Sequence, residues 1–154
     1  MNILESIKNL FIKQYNYTNN IYPSYIITII KNKFPRCKIS LNNLDDNLYT
    51  LIEKKYIQSV LDKINMPALN FRDDANDCDD YVDRLIGRIK DFTGGNINIK
   101  NGIALGRSKV KNTVTNKFHK CLFFVDTNHD FHFIDVQNKN IHQMLSYIPY
   151  NIEF

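Results

Sequence analysis

Three residues in distinctive local patterns suggest chemistry. Cys78 lies in "DCDD" (77–80), His119 begins "HKCLFFVD", and Asp135 lies in "FIDVQ". A thiol becomes a strong nucleophile when a base takes its proton, and the base must be held in place by a third group. We therefore predict a catalytic triad of Cys78 as nucleophile, His119 as base and Asp135 as the orienting acid.

The residues after Cys78 predict a helix that begins at this cysteine. Asp77 is a suitable N-cap, and Gly94 with Gly95 would end the helix. The apolar residues at helical spacing are Val82, Leu85, Ile86, Ile89 and Phe92. The partial positive charge of a helix N-terminus favours a thiolate. The backbone N–H of Cys78 is a candidate oxyanion donor, and Asn70 and Asn76 are candidate side-chain donors.

The other two residues of the triad lie in a predicted β-hairpin. "FHKCLFFVD" and "FHFIDVQ" flank the turn sequence "TNHD". We expect His119 to pair with Asp135 across the strands, with side chains about 5 Å apart at Cβ. One face of the hairpin then carries His119, Cys121, Phe123, Phe131, Phe133, Asp135 and Gln137.

Helical patterns precede the strand patterns, which predicts an α+β fold in a single domain, 1–154. Within it we expect a helical part over 1–67, a core over 77–137 and a tail over 138–154. The smaller predictions are helices over 2–15, 23–34 and 46–64, a short strand in "GIALGR", a basic mobile loop over 108–117 and a short helix in "QMLSYI". The segment over 23–34 also fits a strand.

The composition restricts the classes of function. Three widely spaced cysteines do not form a disulfide framework, so we expect a reducing, cytoplasmic compartment. The longest apolar run, "YIITII", is too short to span a membrane. A net charge of +4 permits nucleic-acid binding without arguing for it. Such binding would use Arg107, Lys109, Lys111, Lys117 and Lys120.

The three blocks, in this order and at these intervals, resemble papain-like and transglutaminase-like cysteine enzymes. The resemblance covers 77–137 and is closest to the cysteine-protease domain of a mushroom agglutinin and to small phage proteins described as lectin-like. It implies a papain-like fold with the nucleophile at a helix N-terminus packed on a small antiparallel sheet. It also implies a cysteine-dependent hydrolase or acyl transferase, of phage or viral origin, acting on a protein or peptide-like substrate.

The same resemblance implies a calcium site at Asp79, Asp80 and Gln137. A cation there would offset the two carboxylates, which otherwise oppose ionisation of the neighbouring thiol. No sugar-binding repeat precedes the three blocks, so we do not expect lectin activity.

Two alternatives remain open. The chain could be a binding or inhibitor module that keeps the same fold without turnover and acts on a host factor. A metal could bind near the hairpin turn, at Asp126, His129, Asp130 and His132, although their spacing matches no familiar zinc motif.

Overall fold

A computed structural model describes residues 20–40, 46–65, 78–96, 99, 101–142 and 147–154. The predicted helix over 2–15, Asp77, Asn70 and Asn76 lie outside the described residues. The described helices are α1 (Pro23–Lys33), α2 (Lys54–Lys63) and α3 (Cys78–Gly94). The described strands are β1 (Asn20–Ile21), β2 (Lys38–Ser40), β3 (Tyr49–Thr50), β4 (Gly102–Ile103), β5 (Leu105–Asn112), β6 (Phe118–Val125), β7 (Phe131–Ile134), β8 (Ile141–His142) and β9 (Tyr147–Glu153).

The described strands form two sheets. The small sheet has the order β1-β3-β4, and the large sheet has the order β2-β9-β5-β6-β7-β8. β5, β6, β7 and β8 follow one another as antiparallel neighbours. β9 returns from the C-terminal end to lie between β5 and β2, antiparallel to the first and parallel to the second.

Both faces of the large sheet contribute to a hydrophobic core. On one face, Leu122 and Phe124 pack with the apolar stripe of α3, which includes Val82, Leu85 and Ile89. On the other face, the core cluster joins α1 to β6 and β7 through Ile26, Ile30, Phe123, Phe131 and Phe133. Strand side chains alternate between the faces, so consecutive residues of β6 supply both cores.

The predicted papain-like α+β fold, with a helical first half packed on a small antiparallel sheet, is wrong. Strands β1, β2 and β3 all lie within the first 50 residues, and among the described residues nine strands in two sheets accompany three helices. β2 pairs in parallel with β9, and β3 pairs in parallel with β4. The sequence pattern did not predict these strands, because short strands are stabilised by partners far away in the sequence.

The helix prediction over 23–34 agrees with α1, and the prediction from Cys78 to Gly94 agrees with α3. The predicted helix over 46–64 is wrong in its first part, because Tyr49 and Thr50 form β3 and α2 begins only at Lys54. The end of the predicted helix in "QMLSYI" is wrong as well, since β9 begins at Tyr147; residues 143–146 lie outside the described residues.

The predicted mobile loop over 108–117 is wrong in its first half, which belongs to β5. Ser108 and Val110 are buried while Lys109 and Lys111 are only partly so, which is the alternation of a strand. Ser108 fits the interior because its hydroxyl donates a 3.3 Å hydrogen bond to the Asn151 carbonyl.

The predicted hairpin forms, but its register differs by two residues. Phe123 pairs with Phe133, and Val125 pairs with Phe131. The turn is therefore centred one residue later than expected, and the Asp126 carboxylate accepts the backbone N–H groups of Asn128 and Asp130 at 2.8 and 3.0 Å. A shift of two residues leaves the side chains of both strands on the faces that we predicted, since side chains alternate with a period of two. Asp135 and Gln137 lie beyond the end of β7, and Gln137 is in a turn.

Two glycines provide a matched test of the packing. A Cβ on Gly106 would lie 2.4 Å from the Glu153 carbonyl oxygen and 2.6 Å from the Phe123 ring, whereas a Cβ on Gly87 in α3 meets nothing within 4 Å. We expect Gly106→Ala to lower the free energy of unfolding by about 1–3 kcal/mol. Gly87→Ala should raise it by about 0.5–1 kcal/mol, since alanine favours helices. Urea unfolding checks both, and equal stabilities of the two variants would contradict the packing of β5 against β9.

Candidate functional site

The first candidate region lies where α3 begins. Cys78 is the first residue of α3 and is half-buried. Its Sγ lies 3.7 Å from Asp79 Oδ1, and Asp79 Oδ2 forms an ion pair with Lys120 of β6. The ion pair forms because α3 packs along β6 and brings its first turn to this lysine. Lys120 therefore places a positive charge on the Asp79 carboxylate, which itself lies against the thiol.

His119 of β6 and Asp135, which follows β7, come together in the structure. His119 Nε2 lies 4.0 Å from Asp135 Oδ1, which is an ion-pair distance rather than a hydrogen bond. The Asp135 carboxylate also accepts the backbone N–H of Gln137 at 2.9 Å and the side-chain amide of Asn138 at 3.1 Å. These bonds fix the carboxylate independently of the imidazole.

The pKa of His119 is lowered from its ordinary value of 6.5, chiefly because burial disfavours the imidazolium, and the Asp135 carboxylate offsets part of this effect. At neutral pH the imidazole is therefore uncharged and can accept a proton. The structure thus brings two of the three predicted triad residues together.

The other cysteines are poor nucleophiles. Burial raises the pKa of Cys37 to about 11, with the Lys31 ammonium acting in the opposite direction. The pKa of Cys121 is also raised, first by burial and then by the negative charges of Asp135 and Cys78. The charges of Cys78 and Asp135 therefore both act on one buried thiol, that of Cys121. The grouping of Cys78, His119 and Asp135 as one site stays a prediction.

The predicted calcium ligands Asp79, Asp80 and Gln137 differ in their surroundings. Asp79 is paired with Lys120, while Asp80 and Gln137 are exposed. The Lys120 ammonium already supplies a positive charge beside Asp79, which is the role that we had assigned to the cation. The calcium site stays a prediction, and we derive no function from it.

Among the described residues, Asp126, Asp130 and His132 form the group whose ligand atoms lie close enough to hold a metal. Asp126 Oδ2 lies 2.8 Å from His132 Nε2, and Asp126 Oδ1 accepts two backbone N–H groups of the turn. This network already gives Asp126 a structural role, because it closes the hairpin. The alternative of a metal at this turn stays a prediction.

A cavity of about 440 Å³ lies elsewhere, where the end of α3 faces the small sheet. Its polar wall contains Asp46, Lys90, Thr93 and Asn101. Its remaining lining is formed by Tyr49, Gly94, Ile99, Gly102, Ile103, Leu105 and Phe154. Sequence reasoning missed this cavity because its residues come from four separate stretches of the chain and share no motif.

No protein-family model matches the chain, and no curated protein matches it. Two solved structures share its fold. One is a complex of PSL1a with E64, at TM-score 0.68 and 16% identity. The other is the Polyporus squamosus lectin bound to the human-type influenza-binding epitope Neu5Acα2-6Galβ1-4GlcNAc, at TM-score 0.70 and 17% identity. The matches cover 88% of this chain and 50% and 49% of those chains, so the chain spans about half of their length.

These structures correct the function that we predicted. Both neighbours are structures of a lectin, so a link to a lectin is found, whereas our assignment to a cysteine-protease domain is wrong. The prediction of a cysteine-dependent hydrolase or acyl transferase is wrong for the same reason, as are the thiol-protease and catalytic-triad descriptions. A peptide substrate finds no support in these neighbours. The motif order misled us because three short blocks specify few of the contacts that define a fold.

None of the helices among the described residues has the length and apolar character needed to cross a bilayer. The predicted cytoplasmic location stays a prediction.

The lowered pKa of His119 predicts a pH dependence of stability. The unfolded chain binds a proton on His119 near its ordinary pKa of 6.5, whereas the folded chain resists that proton. Protonation therefore favours unfolding, and the stability falls as the pH drops below 6.5. We expect the melting temperature of His119→Gln to fall less than that of the wild type between neutral and mildly acidic pH. His129→Asn is the control, because His129 is exposed. If both variants reduced the fall in melting temperature equally, the pH dependence would not come from His119.

Thiol labelling tests the first candidate region. We expect iodoacetamide to modify Cys78 before Cys37 and Cys121, which are buried and have raised pKa values. If His119 takes the thiol proton, His119→Gln should slow the labelling by about tenfold or more, since an unassisted thiol is only a few per cent thiolate at neutral pH. Peptide mass spectrometry identifies the modified residue, with Cys78→Ser as control. Labelling of Cys78 no faster than free cysteine would contradict the grouping.

Proposed function

We propose that this chain is a binding module without turnover and that its ligand is a glycan held in the cavity between α3 and the small sheet. The observation that carries the proposal is the combination of aromatic and polar side chains in that cavity. The shared fold with a lectin supports it, as does the sialylated trisaccharide in one neighbour.

The cavity offers the two kinds of contact that a sugar needs. Phe154 is partly buried, with its ring centroid 6.2 Å from that of the buried Tyr49, and the C–H face of a sugar ring can pack against the Phe154 ring. Asp46 and Asn101 present planar carboxylate and amide groups that hydrogen-bond to hydroxyls. Lys90 presents an ammonium that can pair with the carboxylate of a sialic acid.

The polar groups are held before a ligand arrives. The Asn101 amide donates a 3.1 Å hydrogen bond to Asn20 Oδ1, which orients the side chain. Asp46 lies against Gly102 so closely that a Cβ there would be 2.2 Å from Asp46 Oδ2. Glycine at position 102 thus allows the carboxylate to reach the cavity. Fixed polar groups lower the entropic cost of binding.

Glycan binding is tested by titration calorimetry with Neu5Acα2-6Galβ1-4GlcNAc and with Galβ1-4GlcNAc. We expect the sialylated glycan to bind more tightly, and Lys90→Ala to remove most of that preference because the ammonium is lost. Asn101→Ala should weaken both glycans by about fivefold or more, since one hydrogen bond is lost. Lys54→Ala is the control, because Lys54 is also an exposed lysine on a helix but lies outside the cavity.

No binding of either glycan, or an equal loss in Lys54→Ala, would overturn the proposal. E64, the ligand in the PSL1a complex, distinguishes the two candidate regions. E64 binding that Cys78→Ala abolishes, together with no glycan binding, would move the ligand site from the cavity to the beginning of α3. Near-UV circular dichroism of each variant shows that a loss of binding does not come from unfolding.

A further inference from the structure

A second surface of the large sheet combines exposed apolar side chains with lysines. We call it the basic aromatic surface. Its apolar members are Val114, Phe118, Ile148 and Tyr150, with exposures of 82%, 67%, 57% and 41%. Its cations are Lys109, Lys111 and Lys117. Apolar patches rimmed by polar groups mark interaction sites on soluble proteins.

The strand pairing brings these residues together. Lys111 of β5 pairs with Phe118 of β6 on one side and with Ile148 of β9 on the other, so the three lie side by side across the sheet. The register of β5 and β9 shifts between Lys109 and Val110. Such a bulge re-aims a side chain, and Tyr150 meets the Phe118 ring edge-on with centroids 5.2 Å apart.

The surface is fixed in shape. The Asn112 carboxamide oxygen accepts the backbone N–H groups of Val114 and Thr115 at 2.9 and 3.0 Å, which holds the β5–β6 turn. The Lys111 ammonium lies 5.9 Å from the centre of the Phe118 ring. This cation–π contact holds the charge in the middle of the apolar side chains.

The lysines of the surface form no ion pair within the part of the chain that the structure describes. None of the ion pairs found among the described residues involves Lys109, Lys111 or Lys117, whereas Arg107 and Lys120, on the same strands, pair with Asp83 and Asp79 of α3. The basic aromatic surface therefore begins where α3 no longer covers the sheet.

We propose that the basic aromatic surface binds a protein segment that carries apolar side chains flanked by aspartate or glutamate. This surface is separate from the glycan cavity and is a second binding site. An acidic side chain would pair with Lys111 while its apolar neighbours cover Phe118 and Ile148. Aromatic anchors at the centre of a surface contribute most of the binding energy in protein interfaces.

The central position of Lys111 decides between the classes of partner. A second copy of this chain would bring its own lysines against these ones, and like charges repel. A lipid layer that covered Phe118 and Ile148 would also draw the Lys111 ammonium away from the Phe118 ring toward the headgroups, which would remove the cation–π contact. An acidic peptide satisfies both the apolar groups and the charge.

The probe is a random peptide library displayed on phage and selected on the full chain. We expect the selected peptides to carry Trp, Phe, Leu or Ile flanked by Asp or Glu. A fluorescein-labelled peptide with the selected sequence then measures affinity by anisotropy. Phe118→Ser and Lys111→Glu should each weaken it by about tenfold or more. The matched control is Tyr22→Ser, because Tyr22 is 65% exposed but lies outside the surface.

Several outcomes would overturn the proposal. One is that the selected peptides are not enriched in Asp or Glu. Another is that Tyr22→Ser weakens peptide binding as much as the surface variants do. The third is that Phe118→Ser and Lys111→Glu both keep the wild-type affinity. Vesicles of phosphatidylcholine and phosphatidylserine and sedimentation velocity test the other partners. If no acidic peptide binds and Phe118→Ser abolishes vesicle binding, the surface binds a membrane instead. If no acidic peptide binds and Phe118→Ser abolishes dimerisation, the partner is a second copy of this chain.

Discussion

The packing of α3 across β6 fixes the positions of most groups considered above. The buried stripe of Val82, Leu85 and Ile89 meets Leu122 and Phe124, so α3 cannot rotate without exposing apolar surface. This contact brings Asp79 to Lys120 at one end of the helix. At the other end it places Lys90 at the edge of the cavity. The two ends of one helix therefore border two different candidate regions.

The same packing changes how the acids around Cys78 should be understood. From the sequence, we expected a bound cation to offset Asp79 and Asp80, because carboxylates oppose thiolate formation. In the fold, Lys120 reaches Asp79 from the neighbouring strand and offsets its charge. A lysine two residues before Leu122 is an unremarkable surface residue in the sequence, and only the alignment of α3 with β6 gives it this role.

Sequence reasoning succeeded where a local pattern was strong and failed where the partner was distant. Helix α3 could be predicted because its apolar spacing and the terminal glycines agree. The hairpin was predicted on the correct faces but two residues out of register, because the bonds from Asp126 to the turn amides could not be foreseen. β9 between β2 and β5 had no local signal at all, since its pairing is set by strands far away in the chain.

Neither proposed binding site could be predicted without the full length of β5, because this strand contributes residues to both. Leu105, at the beginning of β5, lines the cavity, and Lys111, near its end, lies at the centre of the basic aromatic surface. Lys111 is six positions after Leu105 along the extended strand, which corresponds to roughly 20 Å at about 3.3 Å per residue. A glycan in the cavity and a peptide on the surface would therefore not collide. Because β5 is held on both sides by β6 and β9, it is a rigid connection between the two sites, so the chain could hold both ligands at a fixed separation.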